Sequence, residues 1–194
     1  MNPEIVIIKY NAGNIRSVDF ALQRLGINAE ITDDPEKIKN AAKVIFPGVG
    51  EASGTMKYLH DRGLDKIIRE LRQPVLGICL GMQLMCRFSE EGNTSCLGIF
   101  DTDVVKFREG KVPHMGWNRL EELKGDLYGY SEDGDYVYFV HSFYVPSSQY
   151  TTAVCSNGYV FSASLQKNNF FATQYHPEKS GTTGETILKR FIAL

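Results

Sequence analysis

The sequence predicts an α/β protein with a mainly parallel central sheet, helices on both sides of it and an additional antiparallel portion. In the first half of the chain, short apolar runs alternate with helical patterns, which is typical of buried parallel strands joined by helices. In the second half, short β-like runs separated by turns dominate, and one amphipathic helix closes the chain. No linker, repeat or low-complexity segment divides the 194 residues, so we expect a single domain over 1–194.

Local signals in the sequence predict each element. The helix predicted over 15–25 places Ile15, Val18 and Leu22 on one face, and Gly26 ends it. Asp34 and Pro35 are residue types that begin a short helix towards Asn40. Strands are predicted over 4–8, 27–31, 44–46 and 75–78, and further helices over 52–59 and 64–71. In the second half, strands are predicted over 104–107, 136–140, 152–155, 160–165 and 170–173, before a helix over 183–192.

Composition excludes several classes of protein and partner. A hydrophobic content of 43% and a charged content of 23% are ordinary for a globular chain, and a net charge of −2 gives no reason to expect nucleic acid or a membrane surface as partner. Because there is no long apolar run and no basic-then-apolar leader, we expect no membrane span and no signal peptide. The four cysteines lack disulfide-scaffold density and C-x-x-C spacing, which favours a reduced, cytoplasmic setting.

The stretch Gly77-Ile78-Cys79-Leu80-Gly81 predicts a reactive cysteine on a sharp turn. An apolar strand leads into the turn and a helical pattern follows it, as in a nucleophile elbow. Glycines are needed on either side because the turn is tight and the neighbouring elements pack closely. The start of a helix favours the thiolate of Cys79, which is the nucleophilic form. The alternative interpretation is an ordinary buried cysteine on a core strand.

A second candidate motif, His176-Pro177-Glu178, ends an apolar run far downstream. A histidine at a strand end can take the proton of Cys79, and a carboxylate two residues on can orient the imidazole and stabilise its charged form. Pro177 fixes the backbone between them, so both side chains can project towards one site. The alternative for His176 is an ordinary surface turn. An elbow followed downstream by a strand and then this His-x-Glu motif is, however, a much more specific signal of a catalytic site than either motif alone.

The loop Pro47-Gly48-Val49-Gly50 follows the predicted strand over 44–46 and is a candidate oxyanion loop. Its glycines let a peptide plane turn and expose backbone N–H groups. If it lies beside the elbow, those groups can stabilise a tetrahedral intermediate. The alternative is a plain turn between a strand and a helix.

Together these motifs resemble the class I, triad-type glutamine amidotransferases. The resemblance is carried by segments spread over nearly the whole chain in the expected order, namely 47–50, 77–83, 111–118 and 176–181. The elbow and the His-x-Glu motif mark the superfamily, whereas Pro-His-Met-Gly-Trp-Asn at 113–118 marks the branch that works in histidine biosynthesis. The resemblance implies the three-layer, flavodoxin-like fold of that family, with a mainly parallel central sheet and additional antiparallel strands.

The resemblance also implies which residues act on the substrate, L-glutamine. The catalytic residues would be Cys79, His176 and Glu178, and the oxyanion hole would be formed by the backbone N–H groups of Val49 and Leu80. The thiolate would attack the side-chain amide, the imidazole would protonate the departing ammonia, and water would hydrolyse the thioester to glutamate. This chemistry needs no metal or organic cofactor, and the sequence contains no cluster with metal-ligand spacing.

The glutamine-binding residues implied by the resemblance are Gly48, Gln83, Glu91 and Ser142. The carboxylate of Glu91 is a suitable partner for the α-ammonium of glutamine. The alternative for this acidic loop is a solvated turn. Next to Ser142, His141 is interpreted as a hydrogen-bonded structural histidine rather than a chemical group.

By the same resemblance, the partner is a cyclase subunit with a (β/α)8 barrel, bound as a heterodimer. The cyclase would receive the ammonia without loss to solvent and make imidazole glycerol phosphate and the ribonucleotide AICAR. Residues at the interface would be Tyr10, Asn14, Trp117 and Lys179. Trp117 is the only tryptophan, and a lone tryptophan is either a core residue or, between glycine and polar neighbours, a docking hot spot.

Many members of the family carry Asp-Tyr-Gly-x-Gly-Asn in the first contact loop. This chain has Lys-Tyr-Asn-Ala-Gly-Asn at 9–14, so it differs at Lys9 and Asn11. The difference lies away from the predicted triad and concerns the docking surface.

Three other interpretations remain open on the sequence alone. One is an amidotransferase of another pathway, such as pyridoxal phosphate or aminobenzoate synthesis, against which the segment 111–118 argues. Another is a cysteine hydrolase or peptidase on a related elbow fold, against which the His-x-Glu motif and the loop 47–50 argue. The third is a binding subunit without catalysis, against which the joint presence of Cys79, His176 and Glu178 argues.

Overall fold

The structure, a computed structural model, describes residues 4–10, 15–48, 50–129 and 134–194. The strands are β1 (Ile5–Ile8), β2 (Glu30–Thr32), β3 (Lys43–Phe46), β4 (Val75–Ile78), β5 (Phe88–Ser89), β6 (Thr94–Ser95), β7 (Asp103–Lys106), β8 (His114–Arg119), β9 (Tyr136–His141), β10 (Phe143–Tyr144), β11 (Thr151–Ser156), β12 (Val160–Lys167) and β13 (Phe170–Thr173). The helices are α1 (Ile15–Arg24), α2 (Pro35–Asn40), α3 (Ala52–Asp61), α4 (Leu64–Glu70), α5 (Leu80–Met85) and α6 (Gly181–Ala193), with short 3-10 turns at Glu91–Asn93 and Pro177–Lys179.

A seven-stranded sheet forms the centre of the fold, in the order β11-β12-β13-β4-β3-β1-β2. The strands from β13 to β2 are parallel to their neighbours, while β12 and β11 continue the sheet in antiparallel fashion. This arrangement confirms the predicted α/β class with a mainly parallel sheet and additional antiparallel strands.

The central sheet is buried on both faces because alternate residues of its strands join opposite cores. On β1, Val6 and Ile8 pack in a core that contains residues of α2, α3 and α4. Ile5 and Ile7 pack in a second core that contains residues of α1 and α6. Burial on both faces explains why these strands are continuous apolar runs, and it produces the predicted three layers.

Helix boundaries follow the capping signals in the sequence. The Asp34 side chain accepts hydrogen bonds from the N–H groups of Glu36 and Lys37 at the start of α2. Gly26 follows α1 with φ of 77°, and the Ile27 N–H donates to the Leu22 carbonyl at 3.0 Å. The prediction of a strand over 27–31 was therefore wrong at its start. The Ile27 N–H bonds back to the end of α1, and β2 begins only at Glu30.

Within the described residues, two smaller sheets accompany the central one. One has the order β10-β7-β5-β6, and the other is the antiparallel pair β8-β9. The sequence did not predict β8, because Gly116 and polar residues interrupt any apolar alternation there. Along β8, His114 is buried while Met115 and Trp117 are exposed, so the strand has an inward and an outward face.

The ends of β3 and β4 approach so closely that side chains are excluded between them. A Cβ at Gly48 would lie 2.3 Å from the Gly81 nitrogen, and a Cβ at Gly81 would lie 2.0 Å from the carbonyl oxygen of Phe46. Both distances are far below van der Waals contact. Gly48 and Gly81 therefore set how closely the two turns pack.

Among the helices of the described residues, none is both long enough and apolar enough to cross a bilayer.

The glycine contact yields a test of the fold. We expect Gly81→Ala to lower the free energy of unfolding by about 3 kcal/mol, because the new methyl group overlaps the backbone of Phe46. Gly54→Ala is the matched control, since a Cβ there lies 3.4 Å from the nearest atom, a Glu51 carboxylate oxygen, within α3. The control should be neutral or more stable by up to about 1 kcal/mol. Urea unfolding measures both variants, and equal stability of the two would contradict the steric account.

Candidate active site

Cys79 lies at the turn between β4 and α5 in a backbone conformation that L residues rarely adopt, with φ of 52° and ψ of −105°. Its N–H donates to the Thr173 carbonyl of β13 at 2.7 Å, and its carbonyl accepts from the Gln83 N–H at 3.2 Å. The sheet and the helix thus fix the strained turn from both sides. This is the geometry of a nucleophile elbow.

His176 and Glu178 follow β13 and are completely buried as side chains. The Nδ1 atom of His176 lies 2.8 Å from a carboxylate oxygen of Glu178. The backbone is also fixed, since the His176 N–H donates to the Tyr138 carbonyl and the Ser180 hydroxyl donates to the His176 carbonyl. The carboxylate therefore orients the imidazole, as it does in a nucleophile–histidine–acid triad.

Cys79 and Glu178 together favour the charged form of His176. Burial lowers the pKa of this imidazole, but its charge interaction and hydrogen bond with Cys79, followed by those with Glu178, outweigh burial and raise the pKa to about 10. A protonated imidazole carries the proton that a leaving amine requires.

A cavity of about 380 Å³ opens over the sulfur. Such a volume is typical of sites for small ligands. The predicted site residues that line it are Gly48, Cys79, Leu80, Gln83, Glu91 and Ser142. The structure thus brings together, at one cavity, residues that are far apart in the sequence.

Other residues of this cavity wall were not named as site residues from the sequence. Pro113, Val140, His141 and Phe143 line it as well, and of these His141 and Phe143 belong to the loop that the resemblance implies at the glutamine site. Pro113 belongs to the motif 113–118, which was used to identify the branch of the family and was not predicted to line the substrate site. The apolar run over 136–140 offered no signal that its last residue faces a cavity.

Leu80 is the first residue of α5, so its N–H has no carbonyl one turn back within the helix. This leaves it suited to the predicted oxyanion role. Val49, the other predicted donor, lies outside the described residues. Its neighbours Gly48 and Gly50 line the cavity, and Gly48 packs against the elbow.

Glu91 is half-buried at the cavity edge, where one carboxylate oxygen accepts the Ala52 N–H at 2.9 Å. Burial raises the pKa of this carboxyl. The hydrogen bond from the Ala52 N–H lowers this pKa, the charge of Glu51 raises it, and the net result is a raised pKa. The residue is therefore attached to the start of α3 and faces the cavity. This differs from the alternative of a purely solvated acidic turn.

His141, which lines the cavity, forms a buried pair with His114. The two rings are joined through His114 Nδ1 and His141 Nε2 at 3.1 Å, and His141 Nδ1 lies 2.8 Å from the Phe143 carbonyl. Burial lowers the pKa of His141 to about 3, and burial also lowers that of His114. Both rings are thus neutral at neutral pH, in agreement with the interpretation of His141 as a structural histidine.

The predicted partner residues have different environments. Trp117 is 55% exposed on the outward face of β8, where its ring packs edge-on against Tyr138, and Lys179 is exposed on the turn after Glu178. Trp117 is therefore not a core residue of this chain. Tyr10 is only 5% exposed and its hydroxyl donates to the Pro47 carbonyl, so it lies under the loop 47–50 rather than on the surface. Asn14 lies outside the described residues.

Comparison with known proteins identifies the family. A family model described as glutamine amidotransferase class-I matches residues 7–194. The chain belongs to the class-I glutamine amidotransferases. In this family, the imidazole glycerol phosphate synthase subunit HisH of Bacteroides fragilis (strain YCH46) is 63% identical, covering 98% of this chain and 100% of that protein. The HisH subunit of Pasteurella multocida (strain Pm70) is 46% identical, with coverage of 97% and 96%.

Solved structures give the same fold. A crystal structure of a glutamine amidotransferase aligns with a TM-score of 0.76 at 20% identity, covering 97% of each chain. The structure of PurLQS from Thermotoga maritima aligns with a TM-score of 0.75 at 15% identity, covering 100% of this chain and 99% of that one. At these identities the likeness concerns the fold alone, which is the class-I amidotransferase fold predicted from the sequence.

The neutral histidine pair predicts a loss of stability in acid. Because the folded pKa of His141, about 3, lies below its ordinary value of 6.5, the unfolded chain binds a proton that the folded chain does not. Stability is present above pH 6.5 and falls as the pH drops from 6.5 towards about 3. The raised pKa of His176 acts above pH 6.5, so it does not obscure this window.

The variant His141→Asn keeps a side-chain N–H for the Phe143 carbonyl but cannot titrate. We expect its unfolding free energy to fall less steeply below pH 6.5 than that of the parent, by up to about 1.4 kcal/mol per pH unit. Urea unfolding across that range measures the slope. If both proteins lose stability with the same slope, His141 is not the group responsible.

Proposed function

We propose that this chain is the glutaminase subunit of imidazole glycerol phosphate synthase and acts in histidine biosynthesis. It hydrolyses L-glutamine to glutamate and ammonia and passes the ammonia to the cyclase subunit HisF. The observation that carries this function is the 63% identity to a HisH subunit over 98% of this chain and 100% of that protein. That identity also favours the histidine pathway over pyridoxal phosphate or aminobenzoate synthesis.

In the proposed mechanism, the thiolate of Cys79 attacks the side-chain amide carbon of glutamine bound in the cavity. The backbone N–H groups of Leu80 and Val49 stabilise the oxyanion of the tetrahedral intermediate. The His176 imidazolium, oriented by Glu178, gives its proton to the leaving nitrogen, and ammonia departs. The buried ion pair supports this step because it keeps a proton close to the sulfur.

The second half of the reaction regenerates the thiolate. The neutral imidazole of His176 takes a proton from water, and the resulting hydroxide attacks the thioester carbon. The bond from that carbon to the sulfur breaks, which releases glutamate. The substrate is held meanwhile by Gly48, Gln83, Glu91 and Ser142, with the Glu91 carboxylate facing the α-ammonium.

Ammonia must reach the cyclase without entering solvent, because in water it is protonated and ceases to be a nucleophile. A heterodimer with HisF, a (β/α)8 barrel, meets this requirement. We propose a docking surface at Trp117 and Lys179, which are exposed, whereas the buried Tyr10 would support that surface from beneath and Asn14 stays a prediction from the resemblance. The four buried, unpaired cysteines support a cytoplasmic location.

The central test measures glutamate release from glutamine by the purified chain, alone and with the cyclase subunit and its ribonucleotide ligand. We expect little release alone and a large increase in the complex, since a site that supplies ammonia to a partner should be coupled to that partner. Cys79→Ala in the complex should abolish glutamine-dependent synthesis but leave synthesis from added ammonium unchanged.

The outcomes separate the competing functions. Full activity of the isolated chain would retain the glutaminase but remove the partner coupling. Retained glutamine use by Cys79→Ala would remove Cys79 as the nucleophile. Absence of glutaminase activity in both states would favour a binding subunit, and peptide cleavage without glutamine cleavage would favour a peptidase.

The docking surface is tested separately with Trp117→Ala. Because the indole is 55% exposed in the free chain, we expect little change in thermal stability but an affinity for the cyclase at least about tenfold weaker, as at a hot spot. Phe20→Ala is the matched control, since this residue is 56% exposed on α1. Calorimetric titration with the cyclase measures the affinity, and equal affinities for the two variants would place the interface elsewhere.

A further inference from the structure

A buried glutamine beside the nucleophile has no role in the mechanism above. Gln174 follows β13 directly and lies two residues before His176. Its side chain is inaccessible to solvent, and its Nε2 atom lies 3.7 Å from the sulfur of Cys79. This distance is within the range of an N–H donor to sulfur.

The hydrogen-bond network fixes which end of the Gln174 amide faces the sulfur. The Phe143 carbonyl can only accept, so the Gln83 atom 2.9 Å from it is the amide nitrogen. The same nitrogen lies 3.0 Å from the side-chain oxygen of Gln174. Since the oxygen of Gln174 faces Gln83, its N–H group must face the sulfur.

The other neighbour of the sulfur has the opposite polarity. The Val140 carbonyl oxygen lies 3.8 Å from the Cys79 sulfur, where it accepts from the thiol. Once the thiol loses its proton, this carbonyl presents its negative end to the thiolate. The Gln174 N–H presents a positive end, and a hydrogen bond to a charged acceptor is stronger than one to a neutral acceptor.

We propose that Gln174 is a further catalytic residue, whose amide N–H stabilises the Cys79 thiolate, and that Gln83 holds this amide in the required orientation. The proposal deepens the proposed glutaminase function and rests on it. Gln174 acts on the sulfur when the thiolate forms and again when the thiolate leaves from the thioester. It transfers no proton, since a neutral amide is only a donor here.

The chemistry of the other cysteines makes the thiolate of Cys79 measurable. Burial raises the pKa of Cys96 and Cys155 to about 12, and it raises that of Cys86 well above the ordinary value. Iodoacetamide reacts with thiolates, so near neutral pH it should label Cys79 alone. Cys79→Ala identifies any labelling at the other positions.

The test compares alkylation rates across pH for the parent, Gln174→Leu and Gln174→Met. Both substitutions keep the size of the side chain and remove the donor. We expect the midpoint of the alkylation profile to rise by about one pH unit, so that Cys79 reacts about tenfold more slowly near neutral pH. In the complex with the cyclase, kcat for glutamine should fall about tenfold while KM changes little.

Ser164→Ala is the matched control for loss of a buried polar group. The Ser164 hydroxyl, also inaccessible to solvent, bonds to Tyr128 and Thr152 on the antiparallel side of the sheet. We expect this variant to unfold at a lower temperature but to keep the parental alkylation midpoint.

The proposal is overturned if Gln174→Leu and Gln174→Met lower the unfolding temperature but keep the parental midpoint, because Gln174 would then only fill and brace the core. Should the leucine variant fail to fold, the more adaptable methionine decides the question. If the parent shows no selective labelling of Cys79 near neutral pH, the proposed glutaminase site itself fails, and that result is distinct from failure of the Gln174 proposal.

Discussion

The contact between Gly81 and the Phe46 carbonyl determines the geometry of the whole site. Neighbouring parallel strands end at the same edge of a sheet, so β3 and β4 deliver the loop 47–50 and the elbow to one place. Without side chains at Gly48 and Gly81, the two backbones pack directly against each other. Gly48 and Cys79 both line the cavity there, and Cys79 lies on the elbow turn with φ of 52°.

The rest of the fold stabilises a site that is unfavourable by itself. A positive φ at a cysteine and an ion pair without solvent both cost free energy. The fold offsets them with hydrogen bonds to the backbone on both sides of the site: Cys79 to β13, and His176 to β9. The Ser180 hydroxyl also links His176 to β9, since it donates to the His176 carbonyl and accepts from the Tyr138 N–H. Both halves of the proposed triad are therefore fixed before any substrate binds.

The features that were predicted from the sequence have local causes. Glycines around Cys79, a proline between His176 and Glu178, and a capping aspartate at 34 each act within a few residues, so their pattern is visible in the chain. The pairing of His114 with His141 was not predicted, because it depends on the register between β8 and β9. The position of the Gln174 side chain depends on its hydrogen bond with Gln83 in α5. The start of β2 depends on the hydrogen bond from the Ile27 N–H to Leu22 at the end of α1. Contacts of this kind are set by tertiary packing, which residue type and spacing do not specify.

His141 and His176 differ in the direction of their pKa shifts, and the difference follows from their neighbouring groups. Burial drives both His141 and His176 towards the neutral form, but only His176 has Cys79 and the Glu178 carboxylate beside it to oppose burial. His141 faces a carbonyl and a second imidazole, and the charge on His176 disfavours a further one, so it remains neutral. In the proposed mechanism, the proton that moves is therefore the one on His176. The low pKa of His141 therefore agrees with its interpretation as a hydrogen-bonded structural histidine.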